Sequence, residues 1–104
     1  MTIVSVYAVF ADRAEAETIA RDVIDRRLAA CANILPGVHS IYRWNGAIEQ
    51  ADEAAAIFKT TLAQAETLMT RIAALHSYDT PCVVTWPIDK LLSPYADWVE
   101  DSVG

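Results

Sequence analysis

The sequence predicts an α+β domain in the order βαββαβ, with a long hairpin between the second and third strands and an added C-terminal helix. Three observations carry this. Asn45–Gly46 stands between two strand-like runs, and a two-residue type I′ turn needs positive φ at both central positions, which Asn and Gly tolerate best. Two stretches, 12–28 and 63–76, repeat apolar residues at helical spacing. Two further β-rich runs, Ile3 to Phe10 and Cys82 to Trp86, supply the outer members of the order. Right-handed crossovers fold such a chain into a helix-covered antiparallel sheet, the ferredoxin-like split βαβ arrangement. Many unrelated functions share that arrangement, so activity must be read from particular residues.

Taken in order, Ile3 to Phe10 is almost continuously apolar, as in a strand buried on both faces. Asp12 precedes Glu15 by three positions, a capping-box-like pair in which the Asp side chain accepts N–H bonds from the first helical turn. Ala16, Ile19, Ala20, Val23, Ile24 and Leu28 define one buried face. Arg26 and Arg27 fall in the last turn, where they complement the helix dipole.

The hairpin arms follow. Ala32, Ile34, Val38, Ile41, Tyr42 and Trp44 mark the first; Ile48, Ala54 to Phe58, Thr60 and Thr61 mark the second. At about 15 residues and ~3.3 Å per residue, each arm reaches ~50 Å. A compact domain of this length is only ~33 Å across. The hairpin must therefore either bend, with Pro36–Gly37 offering a bulge, or project its tip onto another subunit, and both are expected. Leu62, Ala65, Leu68, Met69, Ile72 and Leu75 set the second helix, and His76 to Pro81 is a loop because the residue before proline resists the α region. Ser93–Pro94 reads as N-cap and first residue of a terminal helix whose face is Tyr95, Trp98, Val99 and Ser102. With no repeat or linker, residues 1–104 are expected to form a single domain.

A formal charge of −6 repels phosphate backbones and anionic membranes, and the arginines sit among acids on helix-like segments. Nucleic acid and membranes are not expected partners. The hydrophobic fraction of 54% against 21% charged leaves little polar surface for a monomer. Two cysteines do not make a disulfide scaffold, no apolar run approaches a membrane span, and the start lacks the basic region of a signal peptide. A cytoplasmic protein is expected.

The chain carries no G-x-S-x-G, H-E-x-x-H or phosphate-cradling glycine loop, and is read as a non-enzyme. Its soft and borderline donors are Cys31, Cys82, His39 and His76, a set that suits copper or zinc. No spacing is a chelate motif. That argues against a closed site within one chain and leaves a surface or intersubunit site. Cys31 and Cys82 sit in apolar contexts that suit small core side chains. His76 ends a helix at a loop, where it either caps the helix or presents a ring nitrogen outward. Lys59 stands in an otherwise apolar and hydroxyl-bearing strand, where an amine is costly unless paired or solvated. It either blunts a strand edge or reaches into a cleft with Tyr78 and an acid, Glu53 or Asp79. Trp44, beside the hairpin tip, is assigned to an interface.

The runs Leu28-Ala29-Ala30-Cys31-Ala32-Asn33-Ile34-Leu35-Pro36-Gly37 and Ser40-Ile41-Tyr42-Arg43-Trp44-Asn45-Gly46 closely resemble the CutA divalent-cation-tolerance family. So do Lys59-Thr60-Thr61, the His76 to Pro81 loop and the ending Tyr95-Ala96-Asp97-Trp98. The resemblance implies a ferredoxin-like fold in a tight homotrimer, hairpins reaching across subunits, and a link to tolerance of copper and other divalent metals. It implies no enzymatic activity. It also brings a likeness to the PII nitrogen-regulatory trimers, whose intersubunit clefts hold small ligands. Copper ligation in bacterial members is associated with a cysteine near the end of the first strand and two adjacent histidines ahead of the loop. Here those positions are Ala8, Leu75 and His76, and the loop proline is Ser77. His76 is thus the leading expected ligand for copper or another divalent cation, with Cys31 and Cys82 secondary. The alternative is a small-ligand cleft between subunits built from Lys59, Tyr78, Glu53 and Trp44. A scaffold without a ligand of its own is the third reading.

Overall fold

The apolar run Ile3–Phe10 becomes β1, the strand around which the others assemble. The computed structural model describes residues 2–104. Its elements are β1, α1 (Arg13–Asp25), β2 (Cys31–Trp44), β3 (Ala47–Thr61), α2 (Leu62–Leu75), β4 (Val83–Pro87) and α3 (Ser93–Ser102). The sheet order is β2-β3-β1-β4 with every neighbouring pair antiparallel. This is the split βαβ arrangement that the sequence predicts.

Strand alternation divides the sheet into two faces. Val4, Val6, Ala8 and Phe10 of β1, with Ala54, Ala56 and Phe58 of β3, pack against Ala16, Ile19, Ala20 and Val23 of α1 and Leu68 and Ile72 of α2. Helix α3 packs over β3 and β1 and buries Val99. Its Tyr95 hydroxyl lies 3.4 Å from Cys31 Sγ, at the open face of the sheet, where Tyr7 and Trp86 stack at 4.8 Å.

Two helix ends differ from the sequence reading. Helix α1 stops at Asp25, so Arg26 caps it and Arg27 lies beyond, rather than both occupying the last turn. Arg27 takes the left-handed position (φ 59) of a Schellman ending. Its own N–H reaches Ile24 O at 3.0 Å and the Leu28 N–H reaches Val23 O at 2.9 Å. Contacts with the C-terminal segment hold it there: Gly104 N–H donates to Arg27 O at 3.0 Å, and Arg27 Nη2 donates to Asp101 O at 2.8 Å. In α3 the N-cap is Leu92, one residue before the expected Ser93. Its carbonyl accepts from Tyr95 and Ala96. Pro94 is tolerated there because first-turn N–H groups have no helical partner to lose.

The hairpin bends and overshoots. Asn45 (φ 49) and Gly46 (φ 80) both adopt positive φ, as a type I′ turn requires. The β2–β3 register slips between Leu35 and Val38, a bulge in β2 at Pro36–Gly37, with Gly37 at φ 77. Strand β1 ends with Phe10 opposite Ala54. From Glu53 to the turn, β3 therefore pairs with β2 alone, a two-stranded ribbon of roughly 23 Å. The molecule accordingly extends 45 × 26 × 22 Å.

Candidate functional site

The loop after α2 closes over the hairpin's root, and five hydrogen bonds and one ring stack build the site there. Glu15, fixed by its place in the first turn of α1, accepts the Ala11 N–H on Oε1 at 3.0 Å and the Ser77 N–H on Oε2 at 2.8 Å. Burial opposes its charge, but the Ser77 and Ala11 hydrogen bonds win and hold its carboxyl below the ordinary range. His76 donates from Nε2 to the Val9 carbonyl at 2.7 Å and accepts the Tyr78 N–H on Nδ1 at 3.0 Å. Its ring stacks on Phe10, centroids 5.0 Å apart. Tyr78 donates its hydroxyl to Glu53 Oε2 at 2.7 Å. Burial, then Glu53, pushes the Tyr78 phenol up to about 12.

The expected metal donors are only partly brought together. His76 and Cys82 share one peptide neighbour, since the Val9 N–H donates to Cys82 O at 3.2 Å while the Val9 carbonyl receives His76. Cys82 is exposed. Cys31 pairs with Lys59, which pairs with Ser5. It lies four residues along β1 and three strands across from Cys82, about 19 Å away. Burial and then Cys31 raise Tyr95 to about 12. Both nitrogens of His76 are already used, so a metal there must displace one of its bonds. Ala8 is fully buried and Leu75 is exposed. Among the described residues, no group of three or more His, Cys, Asp or Glu side chains is arranged to hold an ion.

Of the expected cleft residues, those on β2 and β3 share one face of the hairpin but are spread along its length. Glu53 and Lys59 share a face of β3, six residues or roughly 20 Å apart. Trp44, opposite Ala47, continues that face to the tip. Tyr78 and Glu53 meet; Lys59 and Trp44 meet neither within one chain. Lys59 lies on an inner strand between β2 and β1, so it does not blunt an edge.

Two features escaped the sequence reading. His39 sits with Nδ1 2.8 Å from Asp52 Oδ1 and Nε2 3.0 Å from Gln50 Oε1. The Asp52 bond, then Gln50, raises its pKa. Counting rungs outward from the Asn45–Gly46 turn pairs His39 with Asp52, so a signal existed. An open groove of about 800 Å³ between α1 and α2 is lined by Arg26, Glu66, Thr67, Thr70 and Arg71. Both arginines there are engaged by Asp22, and the groove lies on the helix layer, away from the loop.

Fold and site together define a ferredoxin-like α+β protein with a projecting hairpin and an acidic, aromatic loop site at its root. The family model for the CutA1 divalent ion tolerance protein matches residues 4–102. The Thermus thermophilus divalent-cation tolerance protein CutA is 42% identical over 89 residues, covering 86% of each chain. The crystal structure of CutA from Xylella fastidiosa superposes with a TM-score of 0.97 at 32% identity, covering 100% of both chains. The structure of the Archaeoglobus fulgidus protein, described as a periplasmic divalent cation tolerance protein CutA, gives a TM-score of 0.95 at 36% identity over 98% of this chain and 99% of its own. The chain belongs to the CutA divalent-cation-tolerance family. These descriptions name no enzymatic reaction.

Proposed function

We propose that this chain is a non-enzymatic homotrimer, one domain per chain over residues 1–104, that binds copper or other divalent cations at exposed donors. The hairpin carries this reading. Isolated two-stranded ribbons are marginal in water, yet this one exposes Ile41 at 69%, Ile48 at 72% and Trp44 at 56%. A second apolar surface, Trp86, Leu92 and Trp98, lies exposed near α3. Docking the ribbon on neighbouring subunits covers such surface; the number three follows from the family resemblance. Cations are drawn by the charge of −6. Cys82 is the foremost donor because its thiol is exposed, with His76 recruited when its Tyr78 bond opens and Cys31 a separate thiol beside Tyr95. Cytoplasmic residence belongs to this reading, supported by two free thiols; cell fractionation tests it.

Ile48→Lys is expected to convert the trimer to smaller species in sedimentation analysis. A trimer unchanged by that charge removes the hairpin from the interface.

A second reading is favoured by the Tyr78–Glu53 bond and by the engagement of both His76 nitrogens. It makes the subunit boundary a small-ligand cleft, with Lys59 of one subunit meeting Tyr78, Glu53 and Trp44 of another. A small anion would then raise the thermal midpoint of the wild type but not of Lys59→Ala. Equal shifts in both count against it.

A further inference from the structure

His39 lies on the face of the projecting ribbon opposite Glu53, and the reading above leaves it without a role. Its cross-strand partner is Asp52, and the next rungs of that face towards the turn are Ile41 with Gln50 and Arg43 with Ile48. This is the side of the ribbon that carries the exposed Ile41 and Ile48, the apolar surface that docking covers. The ring stands between two acceptors, Nδ1 2.8 Å from Asp52 Oδ1 and Nε2 3.0 Å from Gln50 Oε1. A neutral imidazole has one N–H to give and an imidazolium has two, so the charged ring satisfies both partners as they stand. Both partners raise its pKa, Asp52 first. A turned Gln50 amide serves the neutral ring equally well, so charge is what separates the two states. With the ring protonated, His39 and Asp52 are neutral together; with it deprotonated, Asp52 is a lone carboxylate. Strand β2 is the edge of the sheet, so β3 alone flanks the ring within the chain. Arg43, the other charged group on this face, lies four residues or ~13 Å along β2, and among the described residues Asp52 forms its ion pair with His39 alone.

We propose that His39 and Asp52 enter the subunit interface as one neutral pair, so that the assembly holds a proton on each His39 and loosens when that proton leaves. In the free chain the two side chains are 52% and 88% exposed, and water screens whichever charge is present. Docking the ribbon removes that water, and an unpaired carboxylate then opposes burial far more than a neutral pair does. The imidazolium is therefore favoured more strongly in the assembly than in the free chain. Stabilisation from a group whose pKa is raised in this way is complete below its free-chain pKa and is lost as pH rises through the assembled one. The window accordingly opens above the ordinary imidazole value of ~6.5. The inference rests on the docked-ribbon reading and involves neither the metal donors nor the loop.

Sedimentation of the intact protein, in urea at which assembly and free chains coexist, gives the dissociation constant as a function of pH. One unit of pKa rise on docking is worth about tenfold per chain, so a trimer's constant should increase by roughly tenfold or more between about pH 6 and about pH 8. Asp52→Asn leaves no carboxylate to bury beside a neutral ring, and its constant should not increase over that range. Titration of His76 and of the cysteines is common to both proteins, so the comparison isolates the pair. The chain has two histidines, and isotope-labelled histidine gives each a ring signal. In the assembly the His39 signal should titrate above ~6.5, and Asp52→Asn should bring that titration down. A dissociation constant indifferent to pH, or one that rises equally in Asp52→Asn, overturns the proposal. So does a His39 ring that titrates at the same pH in both proteins. A chain that stays single at both pH values overturns the assembly reading and this proposal with it, whereas an assembly indifferent to pH overturns this proposal alone.

Discussion

The Tyr78 hydroxyl donates to the Glu53 carboxylate at 2.7 Å, and this bond fastens the loop after α2 to the point where the hairpin leaves the sheet. Glu53 is the first β3 residue without a β1 partner, so the bond holds the ribbon where sheet support ends. Glu53→Gln is expected to lower the Tyr78 pKa from about 12 towards, but not to, ~10, because burial remains. Tyrosinate titration, with Tyr78→Phe as the reference, checks this. An unchanged titration would assign the whole shift to burial.

Across the helix layer, Arg71 holds Asp22 with two hydrogen bonds, 2.9 and 3.0 Å, joining α2 to α1. The Arg71 bond, working against burial and helped by Arg26, lowers the Asp22 carboxyl to about 2. The folded pKa lies below the unfolded one of ~3.9. The pair therefore stabilises above about pH 4, and that stabilisation fades as pH falls through about 2. Denaturant midpoints of wild type and Asp22→Asn should differ at neutral pH and converge in acid. The gap is small because the pair is only partly buried and solvent screens it, and a gap that widens in acid contradicts the assignment.

The hairpin turn makes a sharper demand. Gly46 sits at φ +80 with nothing within 4 Å of an added Cβ, so a substitution there is judged on backbone strain alone. Gly46→Val should cost about 1–2 kcal/mol in thermal or denaturant unfolding. A neutral result would mean that the turn relaxes without loss.

The parts of the fold legible in the sequence were those set by local chemistry. Asn45–Gly46 fixed the turn, Asp12 with Glu15 fixed the α1 start, and apolar spacing located both long helices. The α1 end was misplaced because Arg27 fills a position usually held by glycine, supported by Gly104 and Asp101 from the far end of the chain. The site was harder for the same reason. His76 bonds to Val9 across 67 positions, which no periodicity reveals. Lys59 and Glu53 were grouped by residue type, whereas strand rise keeps them roughly 20 Å apart in one chain. Tyr78 was grouped with Glu53 or Asp79 as the acid, and its hydroxyl bonds Glu53. His39 was counted among the donors without a partner, although register from the turn leads directly to Asp52.

At the loop, His76 does structural work that a metal would disturb. His76→Ala removes the Phe10 stacking and the Val9 bond, so its thermal midpoint should fall with or without metal. Cys82→Ser should leave the midpoint nearly unchanged while weakening loop-site copper binding about tenfold or more in calorimetric titration. Equal copper affinity in Cys82→Ser and wild type removes Cys82 from the site.

The central claim is a trimer that binds divalent cations. Native mass spectrometry with about one equivalent of Cu²⁺ per chain, against Zn²⁺ as control, tests it most directly. The account predicts an assembly of three chains carrying stoichiometric copper, with a loading profile distinct from that of zinc. A monomer, or a trimer with the same scattered adducts for both metals, would contradict it and reduce cation binding to the attraction of an acidic surface.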